Sequence, residues 1–156
     1  MSPQASGQFR WRRGAFSMGE IMRTSIACIA FDGERILVAR RNPTGQMGGR
    51  WEFPGGKVEE GESDEEAIVR EFREEFGVSV VVGEKITETF FVHNDAQVAL
   101  HAYEITVPHD GAAHKYTLTE HTEYKWALPA EIPALSFVDS DMLIYPAVMK
   151  WVAGRK

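Results

Sequence analysis

Apolar residues come in two short blocks near the start of the chain, Thr24 to Phe31 and Arg35 to Arg40, both rich in Ile, Val and Ala. Asp32-Gly33 between them suits the positive φ angles of a tight turn, so the pattern predicts two antiparallel strands. Residues 42 to 49 carry Pro43 and three glycines and read as a loop, followed by the short Trp51-Glu52-Phe53 segment and a Pro54-Gly55-Gly56 turn. Ser63 and Glu66 then have the spacing of a capping box, in which the Ser oxygen accepts from a free backbone N–H and the Glu side chain reaches back. The period changes to helical from Asp64 to Phe76, and Gly77 supplies the left-handed residue that closes such a helix. At 100° per residue Ile68, Val69, Phe72 and Phe76 share one face, with Glu71, Glu74 and Glu75 about 120° away on a face expected to look outward. Alternation returns over 78 to 82, 84 to 93 and 97 to 107, the last two joined by Asn94-Asp95. Residues 109 to 121 are polar and unpatterned, a strand resumes from Thr122 to Leu128, and Pro129 and Pro133 end it. The run from Ser140 to Val152 is helical in pattern, with Pro146 expected to kink it or mark a late start.

This order of elements predicts an α+β layered sandwich, a mixed β-sheet covered by helices. With 156 residues, 44% of them hydrophobic, the chain has material for one domain. Residues 1 to 22 have neither period and read as a flexible arm ahead of a domain over 23 to 156; Arg10, Arg12 and Arg13 give the arm a basic character that also suits a contact to phosphates or a partner. A net charge of -6 argues against binding polymeric nucleic acid or an anionic membrane. The single cysteine, Cys28, has no partner for an internal disulfide and reads as a core thiol in a reducing compartment. No apolar run is long enough to span a bilayer and no secretory signal is visible, so a soluble, cytoplasmic protein is expected, as monomer or homodimer.

Three glutamates at i, i+3 and i+4 bring their carboxylates within several ångströms of one another, where like charges are costly unless a cation neutralises them. Arg70 and Arg73 do not lie at the centre of the acidic face. Hard oxygen ligands suit Mg²⁺ or Mn²⁺, and Mg²⁺ typically completes its octahedron with water and phosphate oxygens, which points to a small phosphate ester or anhydride as substrate. Gly55 and Gly56 precede the helix where backbone must come close to metal or phosphate and a Cβ would obstruct it. Neither a GxSxG nucleophile elbow nor a GxxxxGK[ST] phosphate loop is present.

Gly56, Glu62, Arg70, Glu71, Phe72, Glu74, Glu75, Gly77 and Val78 fall on the spacing G-x5-E-x7-R-E-U-x-E-E-x-G-U, where U is bulky and apolar. That spacing resembles the Nudix box at every defined position. Arg40-Arg41, the EFPGG segment and Glu120, six residues before Trp126, extend the likeness over about residues 24 to 150 and towards the MutT-like branch of the Nudix hydrolases. The resemblance implies an α/β/α sandwich and Mg²⁺-dependent hydrolysis of a diphosphate linkage, in MutT-like members of a nucleoside triphosphate to the monophosphate and pyrophosphate. It implies that Glu71, Glu74 and Glu75 hold the metals with help from the Gly55 carbonyl, and that Glu120 is a further ligand or the general base. Glu123 and His121 compete with Glu120 for that second role, an imidazole being suited to proton transfer near neutral pH. Arg70 and Glu62 are expected to orient the catalytic carboxylates. Arg41 matches an arginine that contacts substrate phosphates, with Arg40 beside it. Base choice is expected from Phe90 or Phe91 and from the segment Ser136 to Asp141. Members selective for oxidised guanine carry Asn where this chain has Asp141, with Asp139 nearby, and an ionised Asp cannot donate a hydrogen bond. That leaves cytidine-type nucleotides or an altered purine, and it leaves the alternative that Ser140 and Asp141 simply cap the last helix. Two rivals stand beside this reading. One is a nucleotide-binding domain without chemistry; the other is a hydrolase of nucleotide sugars, dinucleoside polyphosphates or ADP-ribose.

Overall fold

The computed structural model describes residues 22–108 and 116–155. The arm expected over 1 to 22, apart from Met22, and residues 109 to 115 of the expected polar loop lie outside that range. Among the described residues the order is β1 (Arg23–Ile29), β2 (Ile36–Arg41), β3 (Trp51–Glu52), β4 (Gly55–Lys57), α1 (Asp64–Phe76), β5 (Val81–His93), β6 (Ala96–Thr106), β7 (His121–Ala127), a 3-10 helix (Pro129–Ala134) and α2 (Asp139–Ala153).

The strands form two sheets. One has the order β4-β1-β6-β5 and the other β3-β2-β7. β1 runs parallel to β6 and antiparallel to β4, so the larger sheet is mixed, as expected. The tight turn after β1 also forms: Gly33 has φ 103°, and Asp32 Oδ1 accepts from the Glu34 and Arg35 amides at 2.9 and 2.7 Å. The expected β1–β2 hairpin does not. Apart from a bridge between Phe31 and Ile36 and the Leu37 N–H donating to Ala30 at 3.1 Å, the two strands separate into different sheets. Both edges of each strand are taken by other partners, β4 and β6 on β1 and β3 and β7 on β2, while Ile26 to Ala30 and Ile36 to Ala39 are buried without a break, the mark of interior strands covered on both faces.

The alternation along these two strands builds the layers. Ala27, Ile29, Ile36 and Val38 point into a core with Ile144, Val148 and Val152 of α2. Ile26, Cys28, Leu37 and Ala39 point the other way, onto Ile68, Phe72 and Phe76 of α1. The result is an α/β/α sandwich, each fully buried Phe or Ile contributing about 1.5–3 kcal/mol. Cys28 is a buried core thiol.

Helix α1 has the expected bounds and caps. Ser63 Oγ accepts from the Glu66 amide at 3.1 Å, Glu66 Oε1 accepts from the Ser63 amide at 2.9 Å, and Gly77 closes the helix at φ 70°. Val69 is half-buried rather than core, and Ala67 takes the buried place instead. Of the strand expected over 78 to 82 only Val81 and Val82 form strand; they join 84 to 93 in one 13-residue strand, β5, with register shifts at Lys85 that absorb the break. Asn94 and Asp95, both with positive φ, make the turn into β6. The proline segment after β7 forms the 3-10 helix, and α2 begins at Asp139 and runs through Pro146, so no late start occurs. No helix among the described residues is long and apolar enough to cross a membrane.

Candidate active site

A cavity of about 840 Å³ opens where the starts of β1 and α2, the end of β2, β4 and one edge of α1 come together. Its size is that of a small-ligand site. Gly55, Glu71, Glu75, Glu120, Arg41, Asp139 and Asp141 line it; Glu62, Arg70, Glu74, Arg40 and Phe90 do not.

Gly55 and Gly56 are strand residues, not turn residues, paired with Ala27 and Ile26 of β1. Their need for glycine is therefore of another kind. A Cβ on Gly55 would lie 1.9 Å from the Ile26 carbonyl oxygen, and one on Gly56 would lie 2.3 Å from Glu71 Oε2. The missing side chain at position 56 thus leaves the room in which the Glu71 carboxylate sits.

Nor does the acidic face of α1 simply look outward. The Glu71 side chain is only 14% exposed, and Glu74 is 60% exposed. Glu75, one turn on, lines the cavity beside Glu71. Burial, then Glu71 beside it and the charges of Glu52 and Glu120, push the Glu75 carboxyl up to about 10. Among the described residues no group of three or more His, Cys, Asp or Glu stands in metal-ligand geometry. The donor chemistry nonetheless fits a hard divalent ion. Crowded, half-desolvated carboxyl groups disfavour a second negative charge, and a divalent ion would offset that charge.

Glu74 belongs to a neighbouring network. Arg70 donates to Glu62 at 2.5 and 2.9 Å, to Glu71 and Glu74 at 3.3 Å each, and to the Lys57 carbonyl at 3.0 Å. The guanidinium holds the Glu62 carboxyl down at about 2. Arg70 therefore links the loop before α1 to Glu71 on the cavity side and Glu74 on the solvent side.

Sequence reasoning missed Glu52. It lies on β3, lines the cavity, and accepts from Arg41 Nη1 at 3.1 Å through one oxygen while the other lies 2.8 Å from His121 Nε2. The His121 side chain is 1% exposed, and its ring packs 5.4 Å from that of Phe76. Nε2 faces the carboxylate acceptor, and buried Nδ1 has no partner. A register shift makes this possible. Arg40 pairs with Glu123 but Arg41 with His121, so Thr122 is an extra residue, and the bulge turns Arg41 and His121 together towards the cavity. The readable signal was the run of polar residues from Thr119 to Glu123, which breaks the alternation of Tyr124 and Trp126. Glu120 stands at the cavity rim, exposed, while Glu123 is engaged with Arg40 at 3.1 Å. Arg40 also donates to the Gly49 carbonyl at 2.9 Å, outside the cavity lining.

At the other end of the cavity two expectations need correction. Phe90 is 50% exposed and does not line the cavity; Phe91, opposite Val98, does. Asp141 caps nothing: the residue before α2, Val138, has no side-chain cap bond, and Asp141 Oδ2 instead accepts from the Phe53 amide at 2.9 Å. Burial first, then the charge of Glu52, push the Asp141 carboxyl up to about 8, so near pH 7 it mostly keeps its proton and can donate. Asp139 is an exposed residue tied to Arg50 at 3.1 Å at the cavity edge.

Comparison with known proteins bears on this geometry. The NUDIX domain model matches residues 22–148. The CTP pyrophosphohydrolase of Escherichia coli is 35% identical over 129 residues, 83% of this chain and 92% of that protein. The putative 8-oxo-dGTP diphosphatase 2 of Mycobacterium tuberculosis is 30% identical over 112 residues, 70% of this chain and 75% of that one. The solution structure of the E. coli ORF135 protein superposes with a TM-score of 0.74 at 30% identity, covering 87% of this chain and 94% of that chain. A match over most of the chain, in a protein where Glu71 and Glu75 of α1 and Gly55 and Gly56 of β4 line one cavity, places the protein in the Nudix family.

Proposed function

We propose that the protein is a hydrolase that cleaves nucleoside triphosphates to the monophosphate and pyrophosphate, with Mg²⁺ or Mn²⁺ as cofactor. Nudix hydrolases generally depend on divalent metals, and the matched relatives carry the names of nucleoside triphosphate diphosphatases. The observation that carries the reading is the Glu71–Glu75 carboxyl pair, packed against the space left by Gly56 in a cavity large enough for a nucleotide. Glu71, Glu75 and Glu120, with the Gly55 carbonyl, are the groups that would hold the ion; Glu74 joins them only if its contact to Arg70 opens. When bound, the ion supplies Lewis acidity and offsets the phosphate charge. The side chains do the rest. Arg41, kept in place by Glu52, binds phosphate oxygens. Glu120, exposed at the rim, takes the proton of the attacking water at a carboxylate oxygen. Phe91 and Phe53 flank the base, and Asp141 offers it a donor through its retained proton.

Measuring pyrophosphate and phosphate release over a panel of nucleotides, with and without Mg²⁺, tests this. Pyrophosphate released from a triphosphate only when the ion is present supports the reading. Binding without turnover, or cleavage confined to nucleotide sugars, dinucleoside polyphosphates or ADP-ribose, overturns it.

A further inference from the structure

Eight arginines lie among the described residues, and seven of them donate a side-chain hydrogen bond to a protein acceptor. Arg23 is the eighth. Its Nε is shut off from solvent and has no partner, although the side chain lines the cavity. A desolvated N–H left unpaired costs free energy, so a native structure that keeps one in a cleft calls for an acceptor from outside the chain. Among the described residues the other two buried side-chain nitrogens without partners, on Arg41 and His121, belong to residues that line the same cavity.

The position of Arg23 indicates which part of a nucleotide supplies the acceptor. Gly56, against which Glu71 packs, pairs with Ile26 of β1, and Arg23 lies three residues earlier on that strand. At a rise of about 3.3 Å per residue this separates Arg23 from the acidic end by roughly 10 Å. Arg23 pairs with Val98 of β6, and Val98 in turn with Phe91 of β5, so the guanidinium stands at the end of a cross-strand row of apolar and aromatic side chains that all line the cavity. An aromatic wall beside a free planar fork of donors is a site for a flat heterocycle with adjacent acceptors.

We infer that Arg23 is a specificity-determining residue that reads the base, taking bases whose edge pairs an oxo group with a neighbouring ring nitrogen acceptor: O2 and N3 of cytosine, or O6 and N7 of guanine. Adenine presents no oxo group and places an amino donor beside its N7. This rests on the proposed nucleotide reading of the cavity, and the test separates the two. CMP, GMP and AMP are titrated calorimetrically into the wild type, Arg23→Met and Arg23→Lys, with folding checked by thermal melting. The wild type should bind CMP or GMP about ten- to a hundredfold more tightly than AMP, the discrimination expected of one bidentate contact. Both variants should lose most of that preference and hold AMP within about twofold of wild type. Lysine keeps the charge but not the fork, so a Lys variant that retains the preference overturns the inference. Equal weakening for all three nucleotides, the mark of a phosphate or sugar contact, overturns it as well, as does a wild type without preference. A wild type that shows the preference but releases no pyrophosphate from CTP or GTP sinks the hydrolase reading and leaves the role of Arg23 standing.

Discussion

Replacing Gly56 by alanine separates the geometry of the acidic pair from the stability of the fold. Gly56 is not among the glycines with positive φ, so alanine meets no backbone strain there. Its Cβ would meet Glu71 Oε2 at 2.3 Å and Cδ at 2.4 Å, whereas ordinary contact begins at 3.4 Å. The Glu71 carboxylate must therefore retreat by about 1 Å from its place beside Gly56. A displacement of that size at reacting groups costs about a hundredfold in rate, or close to 2.7 kcal/mol of transition-state stabilisation. The obstacle is the end of a side chain that can swing into the open cavity, so the fold should pay little. Gly55 is the control: its Cβ would lie 1.9 Å from the carbonyl oxygen of Ile26, strand backbone that cannot swing away. Gly55→Ala should cost about 3 kcal/mol of stability, roughly 6–12 °C in Tm. Pyrophosphate release from a saturating triphosphate and thermal melting, run on both variants, read the two effects apart. Gly56→Ala with activity within threefold of wild type, or with a melting loss equal to that of Gly55→Ala, would refute the reasoning.

Glu75 and Asp141 have folded-state pKa values raised to about 10 and about 8, so the folded metal-free protein binds more protons than the unfolded chain between their ordinary carboxylate range and those values. Its stability should fall as pH rises from about 5 to 9; Glu75→Gln should flatten the slope in a melting series while lowering turnover by orders of magnitude, and an unchanged slope contradicts the assignment. Added Mg²⁺ should displace the Glu75 proton, so its apparent affinity, followed by calorimetry, should rise over the same pH window; a pH-independent affinity counts against it. Arg41→Ala should raise KM for a triphosphate about tenfold or more with a smaller change in kcat, the loss expected of one hydrogen bond to a charged group. Ser63→Ala should cost about 1 kcal/mol in a denaturant titration, because it removes the cap that holds the first turn of α1.

Helix α1 was legible to the residue because everything that defines it is local: the Ser63–Glu66 box, the apolar stripe of Ile68, Phe72 and Phe76, and the left-handed Gly77. The convergence of Gly55, Glu71 and Glu75 on one cavity was legible through the spacing they share. What escaped depends on partners far along the chain. Glu52 looks like a surface residue of a two-residue strand until β2 and β7 bring Arg41 and His121 to its two oxygens. Asp141 looks like a helix cap until burial and the Phe53 amide change both its bond and its charge. Phe90 and Phe91 differ only in which face of β5 they occupy, and a strand with two register shifts does not reveal that parity in sequence.

The failed hairpin and the cavity have one cause. Asp32-Gly33 sets the turn, but a turn fixes only the few bonds beside it, here the Phe31–Ile36 bridge and the Leu37 amide on Ala30. Beyond those bonds β1 is drawn to β4 and β6 and β2 to β3 and β7, since each strand must satisfy backbone groups on both sides. The strands splay from the turn, and at their open ends, Arg23 on β1 and Arg41 on β2, both side chains line the cavity. A regular β1–β2 ladder would place backbone hydrogen bonds where the cavity now opens. The pairing of each strand with other partners, which breaks the hairpin, is therefore also what opens the site, and a substitution that lets β1 and β2 pair along their length should close it.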